Sequence, residues 1–84
     1  MKKADFVYLD SSHDEIETFI EACRMWDVLR VGGIMAGDDY SNFVSVQLDV
    51  DKFVKHVKST LKHSKSVWYT IKTSETLSAC WEYV

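Results

Sequence analysis

The stretch that decides the fold is DFVYLDSSHDEIETFIEACRMWDVLRVGGIMAGDDY, residues 5–40. It opens with a short run, 5–10, that is rich in β-forming residues and apolar at consecutive positions, which is typical of a parallel strand buried on both faces. After a polar segment, apolar residues recur at helical spacing, and a Gly pair then leads into a second apolar run, 34–37. The stretch therefore predicts a strand, a helix and a second strand.

The predicted helix has a start signal and a stop signal. Ser12, followed three residues later by Glu15, matches a capping box. We expect Gly32 and Gly33 to end the helix and to turn the chain. Helical spacing predicts a buried face made of Ile16, Phe19, Ile20, Cys23, Trp26 and Leu29.

The rest of the chain predicts a second helix followed by strands at 66–72 and 77–84. Alternation of strands and helices indicates a parallel sheet with right-handed crossovers, and the short turn before the last strand makes that strand antiparallel. We therefore expect one α/β domain, residues 1–84, with the order β-α-β-α-β-β. The apolar face of the second helix should consist of Val46, Val50, Phe53, Val54, Val57 and Leu61.

Composition narrows the classes of partner. The 84 residues suffice for one small core, and 46% hydrophobic residues argue against disorder. A net charge of −3 disfavours nucleic acid or an anionic membrane as the main partner. Residues 52–65 are locally basic, and we favour the solvated face of a helix over an anion-binding patch there.

Cysteine usage and hydropathy predict a cytoplasmic protein. Cys23 and Cys80 are far apart, lack the spacing of metal ligands and fall in apolar patterns, so we expect two buried free thiols and a reducing compartment. No apolar run is long enough to cross a membrane, so we expect no membrane partner.

Acidic residues end both strands of the opening stretch. Asp10 ends the first strand, and Asp38 and Asp39 follow the second. In open α/β sheets ligands gather at the carboxyl ends of the strands, so three carboxylates would converge there if the strands are neighbours. An oxygen-only cluster suits Mg²⁺ or Ca²⁺. The alternative is structural: aspartates also shape turns through side-chain to backbone hydrogen bonds.

Residues 5–40 resemble the second half of a class I S-adenosylmethionine-dependent methyltransferase. The shared pattern is a strand ending in Asp, a helix with an acidic start, Gly-Gly, and a strand ending in an acidic pair. The pattern looks most like the metal-dependent O-methyltransferases of small molecules, including the catechol-type and macrocin-type sugar enzymes. The resemblance covers about residues 4–44 and continues to residue 84 only as an order of elements. It implies a partial Rossmann-like sheet, since the family's seventh strand inserts antiparallel beside the fifth.

The resemblance also implies two cofactors, Mg²⁺ and S-adenosylmethionine. In the family, acids at the positions of Asp10, Asp38 and Asp39 hold the metal, which orients a substrate oxygen and favours its deprotonated form. In the sugar enzymes a further acid acts as base, at the position that Ser12 occupies here. His13 is the candidate substitute, because imidazole titrates near neutral pH; the alternative is a solvated residue at the helix start.

The loop after the acidic pair borders the substrate in the family. Tyr40 and Phe43 lie in this loop. We consider them candidates for a substrate pocket and, equally, for simple packing.

The family's first half, with its Gly-rich cofactor loop, has no counterpart in this sequence. We therefore expect a truncated methyltransferase-like domain that is inactive alone. The strand at 5–10 would be an exposed edge, which predicts a homodimer or higher oligomer through that strand, or a separate chain that supplies the first half. Three functions stay open: half of a metal-dependent O-methyltransferase, a non-catalytic oligomeric module without cofactor binding, and a fold whose aspartates only shape turns.

Overall fold

A computed structural model describes residues 3–9 and 17–73, which form a four-stranded mixed sheet and two helices. The strands lie in the order β1-β2-β4-β3; β1 and β2 are parallel, and β4 is antiparallel to both of its neighbours. This confirms the α/β class. The elements are β1 (Ala4–Leu9), α1 (Glu17–Val28), β2 (Leu29–Gly37), α2 (Val44–His56), β3 (Lys62–Ser64) and β4 (Val67–Ile71).

Both helices pack on the same side of the sheet. α1 contacts β1 and β2, and α2 packs against α1. One cluster of buried apolar residues joins the two helices to this side of the sheet, which we call the covered face. The strand residues of the covered face are Val7, Leu9, Met35, Gly37, Trp68 and Thr70.

The opposite side of the sheet, which we call the bare face, is apolar but exposed. Successive side chains of a strand point to opposite faces of the sheet, so the residues next to the buried ones point to the bare face. Its large apolar residues are Phe6, Tyr8, Ile34, Val67, Tyr69 and Ile71.

Gly37 lies on the covered face because Trp68 leaves no room for a side chain. A Cβ added at Gly37 would lie 2.5 Å from Nε1 of Trp68, and the two residues are register partners across β2 and β4. The indole therefore occupies the space that a larger residue would need, and it closes the covered face beside the acidic pair.

The Gly pair lies inside a strand, so the prediction that it ends the helix and turns the chain is wrong. α1 ends at Val28 and β2 begins at Leu29. Gly32 donates its N–H to the carbonyl of Lys72 at 2.7 Å, and Lys72 donates its N–H to the carbonyl of Gly33 at 3.0 Å. These bonds continue the ladder to β4. Gly32 has φ +87, a conformation that suits glycine, and the pairing with β1 shifts register here, so the pair forms a bulge.

The strand predicted at 66–72 exists as β4, but its direction is not the predicted one. It follows β3 through a tight turn and runs antiparallel to β2, whereas the crossover from a helix predicted a parallel strand. The short strand β3 is exposed and polar, so it lacks the apolar alternation that would have indicated it. The strand predicted at 77–84 lies outside the described residues.

The buried faces of the helices largely match the predictions. Phe19, Cys23 and Trp26 of α1 are buried, whereas Ile20 is only half-buried and Leu29 belongs to β2. The capping box at 12–15 lies outside the described residues. In α2 the predicted apolar positions are buried, and Leu61 packs against the core from the loop that follows; the buried set of the helix is Val46, Asp49, Val50, Phe53 and Val54.

Cys23 is disulfide-bonded, so the prediction of a free thiol there is wrong. The only other cysteine of the chain is Cys80, which lies outside the described residues. The reducing, cytoplasmic setting inferred from free thiols loses that support and stays a prediction. No helix within residues 3–9 and 17–73 is long and apolar enough to cross a membrane.

Candidate functional site

The carboxyl ends of β1 and β2 lie side by side. The two strands are parallel, and Leu9 and Gly37 are partners at the end of the ladder. Asp38 follows Gly37 directly, and in the sequence Asp10 follows Leu9. The expectation that these strands are neighbours is confirmed. Asp10 itself lies outside the described residues.

Asp38 joins the end of β2 to the β3–β4 turn. Its Oδ1 accepts the N–H of Asp39 at 2.8 Å and the hydroxyl of Ser66 at 2.8 Å. Tyr40, two residues after Asp38, reinforces this link, because it donates its N–H to the carbonyl of Ser66 at 2.8 Å. The Asp38 carboxylate therefore holds the loop after β2 against the β3–β4 turn.

Asp39 makes the tight turn that follows. Its φ is +66, which Asp and Asn tolerate better than most other side chains. Its carbonyl accepts the N–H groups of Asn42 and Phe43 at 3.3 and 3.2 Å, and its Oδ1 accepts the Asn42 amide at 3.3 Å. Hydrogen-bond donors thus face both members of the acidic pair, which offsets the repulsion between adjacent carboxylates.

Tyr40 is buried in the core. Its hydroxyl donates to Oδ1 of Asp51 at 2.6 Å, and its ring lies 4.6 Å from the ring of His63, centroid to centroid. Burial raises the pKa of Tyr40 above the ordinary value of 10.0, and Asp51 raises it further by hydrogen bonding and charge. This residue links the loop after β2 to α2 and β3.

Phe43, the second loop aromatic, is exposed and precedes the first residue of α2. Its backbone is extended, with φ −132 and ψ 121, and its side chain makes no capping hydrogen bond. Val44 and Leu48 beside it are also exposed. The structure thus separates the two predicted pocket residues, with Tyr40 inside the core and Phe43 at the surface. His13 lies outside the described residues.

The donor chemistry at this edge suits Mg²⁺, since carboxylate oxygens are its usual ligands. Within the part of the chain that the structure describes, no group of three or more His, Cys, Asp or Glu residues is arranged to hold a metal ion. To hold a metal ion, Asp38 and Asp39 would need at least one further ligand, and in the sequence Asp10 follows the neighbouring strand β1.

Two buried charged residues were not predicted from the sequence. Asp49 of α2 accepts the N–H of Phe19 in the first turn of α1 at 3.3 Å. Lys72, which is fully buried, donates from Nζ to the carbonyls of Trp26 and Leu29, both at 2.8 Å, where α1 ends. The spacing of Asp49 and Lys72 could have predicted their burial, because each continues the periodicity of a buried face. A charged residue at such a position is nevertheless usually exposed to solvent.

Lysines of the basic stretch line a shallow groove of about 180 Å³ beside β4. Lys58 and Lys62 contribute charge, Tyr69 and Ile71 contribute apolar surface, and the other lining residues carry hydroxyls. Lys52, Lys55 and Lys65 are exposed elsewhere. Only residues 52–56 of the stretch are helical, so the predicted solvated helix face accounts for part of it. The remaining residues in the stretch lie in the following loop, β3 and the turn after it.

Comparison with known proteins adds no family to this description. No protein-family model, no curated protein and no solved structure is significantly similar to the chain. Function is therefore inferred from the geometry above and from the resemblance of residues 5–40.

Proposed function

We propose that this chain is the metal-binding half of a methyltransferase-like domain related to the metal-dependent O-methyltransferases of small molecules, and that it is inactive without a complementary half. The observation that carries the proposal is the register of β1 and β2. Leu9 and Gly37 are partners in a parallel pair, and paired strands lie about 4.8 Å apart. In the sequence, Asp10 and Asp38 directly follow these two partners.

Asp10, Asp38 and Asp39 would hold Mg²⁺ at this edge of the sheet. When bound, the metal supplies a positive charge that orients a substrate oxygen and favours its deprotonated form. His13, three residues past Asp10, is the proposed base that accepts the proton, and the loop containing Tyr40 and Phe43 borders the substrate. S-adenosylmethionine is the proposed methyl donor, held mainly by the complementary half.

The topology beyond the acidic pair supports the same proposal. An antiparallel strand, β4, lies beside β2, as the inserted strand does in the family that residues 5–40 resemble. Residues 67–71 form this strand, whereas the sequence predicted an antiparallel strand at 77–84, which lies outside the described residues. The agreement therefore concerns the arrangement of the sheet and not the exact segment.

Calorimetric titration tests the proposal. The chain is titrated with Mg²⁺, and the same titration is repeated on Asp10→Asn, Asp38→Asn and the control Glu21→Gln, which removes one charge from α1. Binding should be seen in the wild type and in Glu21→Gln and should be lost in both aspartate variants. Absence of Mg²⁺ binding in the wild type would contradict the metal-binding role.

A second titration, with S-adenosylmethionine, tests the need for a complementary half. We expect no binding tighter than about 1 mM, near −4 kcal/mol, with or without Mg²⁺. Tighter binding would mean that the isolated chain or its oligomer already holds the cofactor, and the half-domain part of the proposal would then be wrong.

The second candidate function is a non-catalytic oligomeric module without cofactor binding. Its support is the position of β1 at one end of the strand order, with Phe6 and Tyr8 exposed, since edge strands template pairing with other chains. The pairing would join two copies through residues 5–10, or join this chain to a separate first half. On the third interpretation, in which the aspartates only shape turns, Asp38→Asn would cost about 0.5–2 kcal/mol of stability and change no metal affinity.

A further inference from the structure

The bare face is a continuous apolar surface built by three strands. Its most exposed members are on β1, where Phe6 is 56% and Tyr8 50% exposed. Ile34 of β2 and Tyr69 of β4 are each 37% exposed. Scattered exposed apolar residues are ordinary, but a contiguous group across register-matched strands marks an interaction surface.

Two rows of register partners make up most of the bare face. Phe6, Ile34 and Ile71 are register partners and form one row across the sheet. The next row places the small residue Ala36 between two tyrosines, Tyr8 and Tyr69. Ala36 is buried while both tyrosines are exposed, so the two aromatic side chains form the outer surface of this row.

The size and charge of the bare face match one side of a dimer interface. From the exposed fractions, its six large side chains present on the order of 500 Å² of surface. That is near the upper range for the largest patch on a monomer and approaches the roughly 800 Å² per partner of a standard interface. Within β1, β2 and β4 the two rows contain no charged residue, as is typical of the core of an interface, and Lys62 of β3, the register partner of Tyr69, continues the second row as a charged rim.

We propose that the bare face binds the bare face of a second copy of this chain, sheet on sheet, about a two-fold axis. Stacked sheets pack about 10 Å apart with interdigitating side chains, and here the exposed aromatic residues Phe6, Tyr8 and Tyr69 of one copy would pack among those of the other. A two-fold contact requires a self-complementary patch, and the apolar rows of β1, β2 and β4 place no charge between the two copies there, since the charged Lys62 follows only at the β3 end of the second row.

This contact differs from pairing through the edge of β1. Edge pairing would place two bare faces side by side in one wider sheet, which doubles the exposed apolar surface instead of burying it. Face-to-face packing buries it directly. The proposal is independent of the methyltransferase-like function, because neither the acidic pair nor a cofactor takes part in it.

Sedimentation analysis over about 1–100 µM tests the proposal, with Ile34→Lys as the disrupting variant. Ile34 lies at the centre of the bare face, so the lysine should raise the dimer dissociation constant at least about 30-fold. The control is Leu48→Lys, which places the same charge on an exposed apolar residue of α2 and should leave the dimer unchanged. Circular dichroism checks that each variant is folded, and Tyr69→Lys replaces Ile34→Lys if the latter is not.

Hydrogen exchange of β1 separates the two modes of pairing. Dimerisation through the bare face should leave exchange of the outward amides of residues 4–9 unchanged between monomer and dimer, whereas edge pairing would protect them. A chain that is monomeric at every concentration overturns the proposal. So does a dimer that survives the folded bare-face variant, or one whose formation protects the β1 amides.

Discussion

The two faces of the sheet are built from consecutive residues of the same strands and yet have opposite fates. Val7, Met35 and Thr70 are buried under the helices, while the row directly beside them, Phe6, Ile34 and Ile71, is exposed. Both rows are mostly apolar, so composition does not separate them. The difference lies in where the helices pack, since both lie on the covered face. An apolar strand pattern therefore predicts that both faces of the strand favour burial. The tertiary arrangement decides which face the rest of the chain covers.

The largest effect expected from this contrast is at two neighbouring aromatics of β4. Trp68→Ala removes a fully buried indole from the covered face and should lower the free energy of unfolding by about 3–5 kcal/mol. Tyr69→Ala, on the bare face, should cost about 1 kcal/mol or less when measured by urea unfolding of dilute protein. Equal losses for the two variants would break the distinction between the faces.

Lys72 provides the next largest effect. Lys72→Met leaves the carbonyls of Trp26 and Leu29 without the ammonium that caps them, and we expect a loss of about 2–3 kcal/mol by the same method. The matched control is Lys62→Met, at an exposed position whose register partner is Tyr69. It should change stability by no more than about 0.5 kcal/mol. If Lys72→Met lowered the free energy of unfolding no more than the control does, the buried charge of Lys72 would contribute little to stability.

The next prediction concerns the hydrogen bond between Asp49 of α2 and Phe19 of α1. Asp49→Ala removes the acceptor for the N–H of Phe19 in the first turn of α1, and should cost about 1–2 kcal/mol in a denaturant titration. Glu21→Ala also removes one negative charge but lies farther along α1, and should stay within about 0.5 kcal/mol. If both variants lose the same amount, net charge and not capping is responsible.

Tyr40 gives the smallest effect at neutral pH and a distinctive one at high pH. Tyr40→Phe loses the hydrogen bond to Asp51 and should cost about 1 kcal/mol. Burial, and then Asp51, raise the pKa of Tyr40 in the folded state above 10.0. Its contribution to stability is therefore full below the unfolded value near 10 and is lost as pH rises through the higher folded value.

The measurement for this prediction is the free energy of unfolding between about pH 8 and pH 11. Wild-type stability should fall more steeply above pH 10 than that of Tyr40→Phe. Tyr69→Phe, which alters the bare face only, should keep the steep wild-type slope. An identical slope in Tyr40→Phe and the wild type would show that this phenol does not contribute to the alkaline loss.

Local patterns predicted the elements better than their direction. The apolar spacing of Phe19, Cys23 and Trp26 identified α1, because a helix can bury only one stripe. The Gly pair misled, since glycine permits both a helix end and a strand bulge. Lys72, 39 or more residues away in the chain, accepts the N–H of Gly32 and donates its own N–H to the carbonyl of Gly33, and these bonds place the pair in a strand. The direction of β4 depends in the same way on the exposed hairpin with β3, which has no apolar signal.

By itself, the sequence determined which segments are apolar, where acidic residues follow them, and that Asp38 and Asp39 stand at a strand end. These are local properties, read from spacing along the chain. Tertiary structure decided that β1 and β2 are neighbours, that Asp38 bonds to Ser66, and that one apolar side of the sheet is left bare. Each of these depends on residues distant in the chain, whose meeting is set by the packing of the whole domain and not by any local pattern.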